Sequence, residues 1–88
     1  MHAIITTTGQ DRVGIIAGVA NAAAERNLNI IDVSQTLMDN FFTMIMRVEV
    51  PEGANVGDLQ AELAEVGERL GVVVRLQSEA LFTAMNEI

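Results

Sequence analysis

Hydrophobic residues recur along this chain with two periods, and the points where one period gives way to the other mark its elements. Residues 3–8 alternate, with Ala3, Ile5 and Thr7 to one side and Ile4, Thr6 and Thr8 to the other, the pattern of a strand. Over about 13–26 the period lengthens. Val13, Ile16, Ala17, Ala20 and Ala24 share one helical face, and the many alanines predict a slim helix able to lie close on a sheet. Asn27 is the expected stop. Alternation returns over 28–39, with Ile31, Val33 and Leu37 pointing one way and Ile30, Asp32, Ser34, Thr36 and Met38 the other. Asp39-Asn40 is a tight-turn pair. After it, Phe42, Met44, Met46, Val48 and Val50 alternate with Phe41, Thr43, Ile45, Arg47 and Glu49, so the two runs predict a hairpin.

Pro51-Glu52-Gly53-Ala54 interrupts the pattern, and Asn55 stands where a helix cap belongs. The stripe Val56, Leu59, Leu63, Val66 and Leu70 then keeps the helical period without a miss, and Gly71 fits a left-handed C-cap. Residues 72–77 read as a last strand, and Leu81, Phe82, Met85 and Ile88 as a short amphipathic C-terminal helix. The order βαββαβ predicts an α+β, ferredoxin-like sandwich: a four-stranded antiparallel sheet with two helices on one face. The other face would carry Ile4, Thr6, Asp32, Ser34, Thr36, Thr43, Ile45, Arg47, Arg75 and Gln77, a half-polar surface suited to partial burial in a partner.

Length and charge narrow the function classes. Residues 1–88 are expected to form a single domain, small enough that association is an easy way to bury more surface. Twelve acidic residues against five arginines, with no lysine, give a net charge of −7, which argues against nucleic acids and anionic membranes as partners. Without cysteine there is no thiol chemistry and no thiolate metal site, and His2 is the only histidine, so neither metal nor cofactor is expected. No serine has a matching histidine arrangement, so no residue is assigned a catalytic role. The N-terminus lacks the pattern of a signal peptide and no long apolar run is present, which makes the cytoplasm the expected location.

The chemistry concentrates in Gly9-Gln10-Asp11-Arg12-Val13-Gly14-Ile15-Ile16, between the first strand and the first helix. Gly9 is expected to permit a sharp turn, and Asp11 to cap free N–H groups of the helix. Gly14, expected in the first helical turn, costs helix stability and implies close approach of a backbone or a ligand. A helix N-terminus is also a seat for a carboxylate or phosphate. Asn29-Ile30-Ile31-Asp32 opens the second strand, at the opposite end of the sheet, so a second subunit would have to bring it to a ligand.

Gly-x-Asp-Arg-x-Gly-Ile followed by Asn-Ile-x-Asp resembles the ACT domain family, small amino-acid-sensing regulatory modules of ferredoxin-like fold. The chain looks closest to stand-alone, single-domain ACT proteins related to the glycine-cleavage repressor-like group. Many ACT domains carry proline where Val13 stands, so this turn is less preset. The resemblance implies a homodimer, pairing through its sheets, that binds an amino acid or similar small molecule at the interface. Asp11, Arg12, Val13, Gly14 and Ile15 would meet the ligand from one side, and Asn29 and Ile30 from the other. Signal would leave by association, with another regulatory protein as a candidate partner. Two other readings stand beside this one. Acylphosphatases share the βαββαβ order and hold phosphate with an Arg in the first turn and an Asn that positions water, which Arg12 and Asn29 would supply. A pure protein-interaction module would leave the turn empty.

Overall fold

A computed structural model describes residues 1–86, with side chains through Ala84. The elements run β1 (His2–Gln10), α1 (Ile15–Glu25), β2 (Asn29–Met38), β3 (Phe41–Glu49), α2 (Val56–Leu70), β4 (Val73–Ser78) and α3 (Glu79–Asn86). The strands form one antiparallel sheet in the order β2-β3-β1-β4, and α1 and α2 cover one face of it. This is the ferredoxin-like arrangement that the order of periods predicts.

The core lies between that face and the two helices. β3 contributes Phe42, Met44, Met46 and Val48, all buried, and β1 sets Ala3, Ile5 and Thr7 beside them. β4 adds Val74 and Leu76, and α2 closes the layer with Leu59, Leu63 and Val66 from its predicted stripe. The helix ends also follow their sequence signals. The Asn55 side chain accepts from the Asp58 N–H at 3.0 Å, and Gly71 adopts φ +77°. Asn27 is left-handed at φ +59°, with its N–H on the Ala24 carbonyl and the Leu28 N–H on that of Ala23, a Schellman closure.

Two expectations about buried faces are overturned. The buried face of α1 is Ile15, Val19, Ala22 and Ala23, whereas Val13, Ile16, Ala17 and Ala24 are exposed and Ala20 is half-buried. The helix begins two residues later than expected, and its alanines make all sides nearly alike. Its rotation is therefore set by contact: a Cβ on Gly18 would lie 2.8 Å from Leu70 Cδ1, so α2 seats itself there. In β2, a bulge between Ile30 and Asp32 separates residues expected to share a face. Ile30 pairs with Val48 and packs on the core, while Asp32 pairs with Arg47 on the open face. β2 is an edge strand that the helices do not cover, so Val33 and Leu37 remain about half exposed although they face the helical side.

α3 packs chiefly on β1 and β4. Its Glu79 bonds to Arg47 on the open face. The side chains of Met85 and Ile88, expected in its apolar stripe, lie outside the described residues.

Candidate ligand site at the start of α1

β1 does not turn at Gly9. It continues through Gly9 and Gln10, paired with Phe42 and Phe41. Glycine is needed at position 9 for contact instead, because a Cβ would fall 2.9 Å from Val72 Cγ1 and 3.3 Å from Val72 Cα. The turn occupies residues 11–14. Its start is pinned by the Asp11 N–H, which donates to the Asn40 carbonyl at 2.8 Å and so ties the loop to the β2–β3 hairpin turn.

Gly14 is the N-cap of α1, with φ +93° and ψ −2°, and the first helical bond runs from the Gly18 N–H to its carbonyl at 2.8 Å. That left-handed backbone is the folding reason for glycine here, which the sequence reading did not anticipate. Among the described residues no side chain caps the helix, and no acid lies in its first turn. Asp11 therefore does not perform the capping expected of it: the cap position falls three residues later, on a residue without a side chain. The N–H groups that open α1 are left without a side-chain acceptor, at the positive end of the helix dipole. Among the described residues nothing lies within 4 Å of where a Gly14 Cβ would sit, its chain neighbours aside.

Beside this helix end is an open cavity of about 400 Å³ lined by Asp11, Arg12, Gly14, Ile15, Ile16, Ala17 and Phe42. Asp11 and Arg12 are exposed at its rim. The Arg12 guanidinium lies over the end of α2, where a Cβ on Gly71 would be 3.1 Å from its Nη1. The cavity thus joins amide donors, one cation and one anion to an apolar wall. Of the residues expected at the site, Asp11, Arg12, Gly14 and Ile15 come together here. Val13 is fully exposed and does not line the cavity. Asn29 and Ile30 pair with Glu49 and Val48, and Phe42 beside Gly9 lies at the other end of β3. At about 3.4 Å per residue that is roughly 20 Å away, so one chain does not unite the two groups.

Ile16, Ala17 and Phe42 were not among the expected site residues. Periodicity alone sets Ile16 and Ala17 on one helical face and Phe42 on the alternating face of β3, with no sign that they share a cavity. The hairpin register carries the signal for Phe42, because Asp39-Asn40 sets it at the same end of the sheet as the first turn. Among the described residues, no group of three or more His, Asp or Glu side chains converges as metal ligands, and no helix is long and apolar enough to cross a membrane.

Comparison with known proteins agrees with this architecture. A family model described as ACT domain matches residues 1–77. A UPF0237 protein of Corynebacterium efficiens is 51% identical over 89 residues, spanning 100% of both chains. One from Methanocaldococcus jannaschii is 45% identical, over 97% of this chain and 96% of its own. The solved structure of an ACT domain protein from Streptococcus pneumoniae is 44% identical with a TM-score of 0.86, covering 93% of each chain. A structure bearing the name of a glycine cleavage system transcriptional repressor shares the fold at 21% identity, with a TM-score of 0.78 over 86% of this chain and 45% of that one. Matched over most of its length by the family model, and from end to end by relatives near half identity, this chain belongs to the ACT domain family.

Proposed function

We propose that the protein is a non-catalytic regulatory module that binds a small carboxylate metabolite, an amino acid or a close relative, at a site completed by a second copy. The observation that carries this reading is the uncapped start of α1 opening on a cavity with Arg12 at its rim. A ligand carboxylate would accept from the free amides, with Arg12 adding charge. The Asp11 carboxylate would attract an ammonium group, and Ile16, Ala17 and Phe42 would face the ligand's apolar part.

The sheet edges support the second copy. On the β4 side, the Gln60 side chain of α2 accepts the Leu76 N–H and blocks that edge. On the β2 side every residue of the strand but Ile30 is exposed. Two β2 strands paired antiparallel across a two-fold axis would bring Asn29 and Ile30 of one copy beside the 39–40 turn of the other. That turn holds Asp11. By contrast, a hydrolase needs Arg12 and Asn29 on one phosphate, and their separation within the chain counts against it.

The test is thermal denaturation across amino acids and their keto and hydroxy analogues. A ligand at about one hundred times its Kd adds about 2.7 kcal/mol. The rise should vanish in Arg12→Ala, whose own melting point should stay near that of the parent. No shift with any compound would overturn the reading. If the site is shared between copies, mixing Arg12→Ala with Asn29→Ala should restore binding that neither variant shows alone.

A further inference from the structure

At the end of the sheet away from the cavity, the open face carries a charged row. Arg47 on β3 stands between Asp32, its cross-strand partner on β2, and Ile4 on β1. Its guanidinium forks onto Glu79, the first residue of α3, with Nε 2.6 Å from Oε1 and Nη2 3.3 Å from Oε2. Nη2 also approaches His2 Nδ1 at 3.4 Å, and that ring nitrogen lies 3.7 Å from Glu79 Oε2. The other ring nitrogen, Nε2, is 3.9 Å from Glu49 Oε2. Under this cluster Ile4 is buried to 6% exposure, although Ile45, one pleat further along the same face, is 38% exposed. On α3, Leu81 is half exposed and Phe82 half-buried.

One guanidinium therefore has two carboxylates on opposite sides, one on the edge strand and one on α3. We propose that Arg47 is a two-position switch: paired with Glu79 it straps α3 across the open face, and turned towards Asp32 it releases α3. The arrangement with Asp32 would, like the one with Glu79, be an ion pair at a partly exposed surface, where such pairs contribute little, so a small change at β2 would suffice to favour one. Asp32 directly follows the β2 bulge, where ordering of the edge strand would move it. Pairing of β2 with a second copy would then be read out as a change in how firmly α3 is held. This link to the second copy rests on the pairing proposed above, whereas the switch itself does not.

Hydrogen exchange on the whole chain at neutral pH tests the switch, with peptides over α3 as the readout and peptides over β3 as the control for global stability. Glu79→Gln should speed exchange in α3 severalfold while β3 is unchanged. Arg47→Lys, which keeps the charge but loses the fork, should do the same. Asp32→Asn removes the rival carboxylate and should slow exchange in α3. If Asp32→Asn leaves α3 unchanged or speeds it, the competition does not exist. If Glu79→Gln has no effect, the strap does not exist. Ligand binding at the α1 cavity is not part of this measurement, so the two proposals fail separately.

Discussion

At Gly14 the backbone sits at φ +93° with open space where a Cβ would go, so a side chain there meets strain but no clash. Gly14→Ala should lower stability by about 1–2 kcal/mol, and Gly14→Asn by less, because Asn tolerates the left-handed region. Thermal denaturation checks the order of the three proteins, at about 4–8 °C per kcal/mol for a domain of this size. Thr7 presents the opposite case. It is fully buried between Met44 and Val74, and its hydroxyl oxygen has no hydrogen-bond partner among the described residues. A buried hydroxyl without a partner is destabilising, so Thr7→Val should raise stability by about 1 kcal/mol. A melting point that falls in this variant would mean that the hydroxyl is satisfied in solution.

The two long helices differ in what starts them. α2 has a side-chain cap: Asn55 holds the Asp58 N–H, and Asn55→Ala should cost about 1 kcal/mol in chemical denaturation. α1 has a glycine in that place and bare amides facing a cavity. The stripe of α2 was legible because its leucines and valines alternate with charged residues, giving one oily face and one wet one. The face of α1 was not, because alanine is nearly neutral between water and core. Its rotation depends on Leu70 seating against Gly18, a contact 52 residues away in sequence (70 − 18 = 52). The β2 bulge was hidden for a related reason. Ile31 adds one residue against β3, and only the pairing partner reveals an extra residue.

Taken as a whole, the molecule has its candidate cavity at one end of the sheet and its charged cluster at the other. The Glu79 carboxyl is held below the usual glutamate range, first by the hydrogen bond from Arg47; partial burial opposes this, and the charges of Arg47 and His2 add to it. A carboxylate favoured in the folded state contributes stability above its ordinary range and loses it as pH falls through the lowered value. The part of the hold on α3 that rests on the Glu79 carboxylate should therefore weaken below about pH 4, the usual range of a glutamate, and be lost as pH falls through the lowered value. Hydrogen exchange in α3, followed down in pH, should show that loss before β3 opens. Added salt should weaken the same hold at neutral pH, since the ion pair is partly exposed.

Sequence by itself determined the order of elements, the hairpin at Asp39-Asn40 and the ends of α2, and it singled out the stretch around Asp11 and Arg12 as the candidate site. Each of these is written in local signals: a period, a cap or a turn pair. Tertiary structure decided which face α1 buries, that Gly9 is a contact and Gly14 a left-handed cap, that Phe42 walls the cavity, and that Arg47 reaches Glu79. These depend on atoms brought together from distant parts of the chain, and packing between nearly equivalent faces has no local signature to read.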